Sequence, residues 1–321
     1  MKGLKKLALA TAVAAAPFAA QADLKAMDDV SMGNVTGQAG VTIELETKVS
    51  IGQFKYTDTN GGGTDEIGGG SFAVNNIVLG GSGVAGGTGG QLLDQLKIDI
   101  DVADDGDAVI HVGSLQTADH DGDAATPEVP VPIDWGMTVG SVELLPGSTG
   151  TDSTTLLSNM SLYGDLAALD LRVDTATDYL NVAVAFDIDD MDFDVDFLGI
   201  GIRDMVITGA GTNFDYDGNG TTADAELAAS GGNAAEGYDW STDPRQKLAF
   251  GKLTNYANVN LDVYKGNGLG DSGATDVLRV DINNVYMDVS IGETIIGGTN
   301  IGTIAIDNLA VTDTKLAVYG R

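Results

Sequence analysis

Residues 215–226 carry the most specific chemical spacing in the chain. They read Asp-Tyr-Asp-Gly-Asn-Gly-Thr-Thr-Ala-Asp-Ala-Glu. This matches the calcium-loop pattern D-x-[DN]-x-[DN]-G-x5-E at every defined position. A hard cation needs about six to eight oxygens. Asp215, Asp217 and Asn219 offer side-chain oxygens, Thr221 a main-chain carbonyl and Glu226 a bidentate carboxylate, while Ala223 would act through water. Gly220 permits the sharp turn such a loop makes. Calcium is therefore the expected cofactor. The flanks differ from a helix–loop–helix unit, because Thr222 replaces the usual branched aliphatic and 205–208 reads as a strand leading in. The plainer alternative is a solvated Asp/Gly loop, which so acidic a chain generates readily.

Two weaker cation patterns occur. Asp119-His120-Asp121-Gly122-Asp123 begins in the same way, then has Ala124 where Gly belongs and Pro130 where Glu belongs. Asp58, Asn60 and Asp65 form a third, looser set. No catalytic residue is assigned. The chain has two histidines and no cysteine, and it lacks the G-x-S-x-G and H-E-x-x-H patterns. His111 reads as a surface imidazole on the polar face of a strand. Carboxylate pairs are so abundant that their separation by itself names no glycosidase. Trp135 and Trp240 read as core or loop anchors before sugar platforms. The expected protein is not an enzyme.

Composition narrows the class further. Sixteen Lys and Arg face 47 Asp and Glu, a net charge of −31. Such a surface repels phosphate backbones, which excludes nucleic acid as a partner. Without cysteine there is no disulfide framework, thiolate metal site or lipoprotein anchor. A hydrophobic content of 43% is too high for a disordered acidic tail. At the N-terminus Lys2, Lys5 and Lys6 precede an apolar run over 7–16 and the small-residue site Ala20-Gln21-Ala22. These are the three parts of an export signal, so 1–22 reads as a signal peptide and Asp23 as the first mature residue. The rest has no apolar run of ~18 residues, so no transmembrane helix is expected. The expected location is extracellular or on the cell surface, reached through the periplasm.

The elements that must position these residues are strands. Leu96, Ile98, Ile100 and Val102 alternate with Lys97, Asp99 and Asp101, and Met191, Phe193, Val195 and Phe197 alternate with Asp192, Asp194 and Asp196. Period-2 alternation of this kind marks strands with one wet and one dry face, which antiparallel sheets accommodate. Gly- and Asp-rich tracts separate them and read as loops. Asp104-Asp105-Gly106-Asp107 reads as a hairpin turn. Helical candidates are limited to 24–31, 155–162 and 223–230.

A four-residue element recurs: Val74-Asn75-Asn76-Ile77, Ile188-Asp189-Asp190-Met191, Ile202-Arg203-Asp204-Met205, Ile282-Asn283-Asn284-Val285 and Ile306-Asp307-Asn308-Leu309. The parity of the apolar residues flips across each copy. Keeping one apolar face then requires an extra residue, as in a β-bulge, or a corner into a second sheet. Asn and Asp tolerate the left-handed conformations such kinks use. The irregular spacing excludes a solenoid. The expected fold is all-β: long, coiled antiparallel strands forming a sandwich or an open barrel-like sheet, with little helix. The domain plan is a leader (1–22), an N-terminal segment (23–39) and one all-β domain (40–321) with a long loop excursion at 209–243.

Two stretches carry a family likeness. The mature chain opens with Met27-Asp28-Asp29 and then Val35-Thr36-Gly37-Gln38-Ala39-Gly40-Val41-Thr42-Ile43. It closes with Ile304-Ala305-Ile306-Asp307-Asn308-Leu309 and Thr314-Lys315-Leu316-Ala317-Val318-Tyr319-Gly320. Together they resemble the exported pilus-system proteins of the FilA type from Gram-negative bacteria. The likeness covers about a tenth of the chain, and this chain ends Gly320-Arg321 where a Gly-His pair is usual in the family. It implies an envelope or surface protein, with copies of itself or other filament subunits as partners, and supplies no catalytic residues. The expected function is a structural or adhesive surface protein. The alternatives are an outer-membrane β-barrel and a soluble calcium-dependent binding module. The segment 40–56 reads as an internal strand or, alternatively, as an edge that pairs with a neighbouring subunit.

Overall fold

The computed structural model describes residues 40–58, 69–103, 105–118, 129–147, 151–211 and 256–320. The leader, segment 23–39, the calcium-loop pattern at 215–226, the pattern at 119–123, Asn60, Asp65 and Trp240 lie outside the described residues.

Fifteen strands and no α-helix occur among the described residues. The strands are β1 (Val41–Thr47), β2 (Val49–Thr57), β3 (Ser71–Gly80), β4 (Leu93–Val102), β5 (Ala108–Ser114), β6 (Thr117–Ala118), β7 (Val129–Pro130) and β8 (Ile133–Leu145). They continue with β9 (Thr154–Asp174), β10 (Tyr179–Phe186), β11 (Asp190–Val195), β12 (Ile200–Thr208), β13 (Ala257–Gly266), β14 (Val277–Ile296) and β15 (Thr299–Val318). Thirteen form one antiparallel sheet, and β6 pairs with β7 in a small separate hairpin.

The sheet is simpler than fifteen strands suggest, because many of them are collinear. β5 and β8 lie end to end along one edge of β9, and β10 and β11 lie end to end along the other. β12 and β13 share one edge of β14. β3 and β4 continue each other opposite β8 and β5, as do β1 and β2 along β3 and β4. The result is an up-and-down meander of eight long runs: β1+β2, β3+β4, β5+β8, β9, β10+β11, β12+β13, β14 and β15. The circuit β9–β10–β13–β14–β12–β11–β9 is a ring in connectivity alone. Both of its arms leave the same edge of β9, so it closes no barrel.

Register follows from the alternation. One cross-strand row reads Ile43, Ile98, Val112, Leu169, Val184, Val259, Val285 and Val311, spanning all eight runs. The adjacent row faces the other way and reads Thr42, Asp99, His111, Asp170, Ala183, Asn260, Asn284 and Thr312. A slip of one residue would exchange the two faces, so the pattern pins the pairing. The sheet breaks in β1+β2, β3+β4, β5+β8, β10+β11 and β12+β13 fall near mid-length. There the apolar side chains gather into a core of Leu162, Ile188, Ile207, Ala257 and Val289, flanked by Trp135 and several methionines. Toward one end it is the small and polar face that is covered: Asn181, Asn260, Asp262 and Arg279 are buried, while Leu278 is 50% exposed.

Three local expectations change. Residues 155–162 lie within β9, not in a helix. Asn159 has φ 52, a left-handed residue inside the strand, so Leu157 and Met160 share a face at helical spacing without a helix. Three of the five recurring tetrads kink through their third residue: Asn76, Asp204 and Asn308 have positive φ, whereas Asp190 and Asn284 do not. At Asn76 and Asp204, however, the register does not shift, so the kink is shared with the neighbouring strand rather than bulged on one side. The neighbour there is Gly140 or Gly292, on which a Cβ would sit 3.1 Å from Asn76 Cβ or 2.7 Å from Asp204 Cβ. One-sided bulges do occur at Asn283, against β13, and at Asn308, against β14. Finally, 40–56 forms an edge. Among the described residues β1 pairs with β4 alone and β2 with β3 alone, and β15 forms the opposite edge.

Candidate cation site

Two copies of the recurring tetrad meet at the β11–β12 hairpin. Asp190 opens β11, Asp192 follows on the same face, and Asp204 comes from β12. Their carboxylate oxygens lie within 4.8 Å of one another. Oxygens on opposite sides of a calcium ion at ~2.4 Å are ~4.8 Å apart, so this spread suits one shared hard cation. The left-handed backbone at Asp204 (φ 50) makes the meeting possible, and its N–H donates to Asp192 Oδ1 at 2.9 Å. Gly292 supplies the clearance on β14.

Electrostatics single out this group from the next carboxylate along the strand. Asp194 accepts a hydrogen bond from Asn159 at 2.9 Å and pairs with Arg203 at 2.6 Å, and these, in that order, hold its carboxyl below the usual range. Asp190, Asp192 and Asp204 form no ion pair among the described residues. Burial, then the charges of Asp192 and Asp204, push the Asp190 carboxyl up. A divalent ion would relieve that repulsion, and it would compete with protons for the same oxygens. Three carboxylates supply three to six oxygens; water or carbonyls would complete the shell.

A second acidic group lies at the break between β10 and β11. Asp187 Oδ1 accepts the Asp165 N–H at 2.7 Å. Burial raises the Asp187 carboxyl to about 6, with Asp165 and Asp189 adding to the effect. The same carboxylates, after burial, raise the Tyr256 hydroxyl to about 12. Gly164 lets the chain pass here: a Cβ on it would lie 2.3 Å from the Asp187 carbonyl oxygen.

Residues singled out from sequence take these places. Asp215, Asp217, Asn219, Thr221 and Glu226 lie outside the described residues. Asp58 donates its N–H to the Gly70 carbonyl at 2.9 Å as the β2–β3 hairpin begins. His111 sits on the polar face with Nδ1 at 2.6 Å from Asp170 Oδ1. Trp135 packs on the central core. Of the tract 104–107, residues 105–107 turn toward β5, and there Asp107 bonds the Arg172 guanidinium at 2.8 Å. The triad Asp190, Asp192 and Asp204 was not anticipated as a site. Its signal was the tetrad itself, which places an acid at the third position of two copies, plus the acid two residues beyond the first.

The chain matches the model of a family of unknown function, DUF6160, over residues 1–104, about a third of its length. The matched stretch takes in β1 to β4. No curated protein matches, and no solved structure matches.

Proposed function

We propose that this chain is an exported, non-enzymatic structural protein of the Gram-negative envelope or surface, a component of a pilus-type system. The observation that carries the reading is the sheet itself: eight long runs in a single meander, with both edge strands open and their apolar side chains in solvent. Phe54, Tyr56, Ile301 and Val318 are each more than half exposed. Surfaces of this kind mark sites of association. The export signal and the FilA-type opening support the same reading, and the carboxylate triad supports stabilisation by a divalent cation such as calcium. Immunodetection on intact and sheared cells, with a deletion strain as control, tests it. The mature chain is expected in the surface fraction; recovery of uncut chain from the cytosol would end the reading.

One observation favours a second reading, an outer-membrane β-barrel. Toward one end of the sheet polar side chains are covered and branched apolar ones face outward, the polarity of a lipid-facing sheet. Heat-modifiable migration in detergent gels would identify that state.

A further inference from the structure

We infer that the two open edges are complementary, so that the first run of one copy pairs in register with the last strand of a second copy. This rests on the structural reading above and names its partner: another molecule of this chain. Direction comes first. In an even-numbered meander the first and last runs are antiparallel, so a second copy laid beside β15 presents β1 and β2 in the orientation that continues the sheet.

Register comes second. Placing Ile43 opposite Val318 sets Leu45 opposite Leu316, with all four on the apolar face. Farther along, Ile51 meets Leu309 and Phe54 meets Ile306. The two halves differ by one residue, the extra one falling on β15 between Leu309 and Leu316. β1 already shifts register against β4 between Leu45 and Thr47, and Asp313 has φ 53.

The kinks also match. In the lower half Gly52 comes opposite Asn308, a left-handed residue with φ 56. Within the sheet the same opposition recurs, Asn76 beside Gly140 and Asp204 beside Gly292. Charge agrees too: Glu46 falls opposite Lys315, and Lys48 beside Asp313. Glu46 and Lys315 are both exposed, and neither has an ion-pair partner among the described residues. Opposite charges at facing positions favour one register over its neighbours.

The chain has no cysteine, so introduced thiols report without background. Directly opposed residues lie about 4.5–5.5 Å apart, within disulfide reach. Full-length Phe54→Cys and Ile306→Cys chains, mixed under mild oxidation, should give a disulfide-linked dimer at least fivefold above either chain alone. Phe54→Cys mixed with Leu316→Cys should not. The double variant Phe54→Cys/Ile306→Cys should form a ladder of linked multimers. Glu46→Lys or Lys315→Glu should each lower the yield about twofold to fivefold, and the double exchange should restore it. Thermal melts of each variant check that it is folded, and all sites are exposed. Absence of a link between chains overturns the inference, and so does a double variant linked solely within one chain, which would mean closure into a barrel. Either result leaves the surface location to be judged by the fractionation experiment alone.

Discussion

Replacing Asp187 by Asn should stabilise the protein at pH 8 and lose most of that gain by pH 4. Asp187 lies between β10 and β11 with its carboxyl raised from 3.8 to about 6, chiefly by burial. A carboxyl that ionises less readily in the folded chain than in the unfolded one costs stability once charged. The cost is fully present above about pH 6, shrinks as pH falls through that value, and vanishes below the unfolded pKa of 3.8. A pKa of about 6 against 3.8 sets a ceiling of about 3 kcal/mol, at ~1.4 kcal/mol per factor of ten. Asp187 retains some exposure, and solvent screening reduces the expectation to about 1 kcal/mol. Asn keeps the oxygen that accepts the Asp165 N–H, so the hydrogen bond at 2.7 Å is not the variable. Urea unfolding at pH 4 and pH 8, with chelator present to exclude cation effects, reads the difference. At a slope of ~3 kcal/mol/M the midpoint should rise by ~0.3 M at pH 8. An equal gain at both pH values, or a loss at pH 8, would show that the burial cost of this carboxylate has been misassigned.

Three further outcomes follow from the same geometry. Calcium at ten times its dissociation constant should stabilise the chain by about 1.4 kcal/mol in a thermal melt, and Asp190→Asn combined with Asp204→Asn should reduce whatever part of that increment belongs to the triad; no reduction would exclude Asp190, Asp192 and Asp204 as ligands. Gly164→Ala should destabilise by about 3 kcal/mol or more, because its Cβ would meet main-chain atoms rather than a mobile side chain, and a melt within a degree of wild type would refute the close approach. Asn76→Ala should cost about 1–2 kcal/mol in urea unfolding while Asn76→Gly costs less, since φ 54 penalises a Cβ that cannot hydrogen-bond locally.

Much of the sheet was legible because its causes are local. Alternation in 96–102 and 191–195 specifies which residues share a face, and Gly106 with its flanking aspartates specifies a turn, so β4, β11 and the turn into β5 follow from neighbouring residues alone. The parity flips were legible too, since apolar spacing of three cannot persist on one face of a regular strand. What they do was not. A left-handed Asn159 imitates helical spacing in 155–162, and only pairing of β9 with β8 and β11 distinguishes the two.

The candidate cation triad depended on contacts no window of sequence contains. Asp190 and Asp204 are fourteen positions apart, and their approach requires the β11–β12 hairpin, the left-handed turn at Asp204 and the missing side chain at Gly292. The same division holds for the molecule as a whole. Sequence by itself determined that this chain is acidic, cysteine-free and pleated with one apolar face, because charge, thiol chemistry and side-chain period are properties of residues and their nearest neighbours. Tertiary structure alone decided that five interrupted strands line up end to end, and that 40–57 and 299–318 become edges, because collinearity and edge position depend on which distant strands share a hydrogen-bonded neighbour.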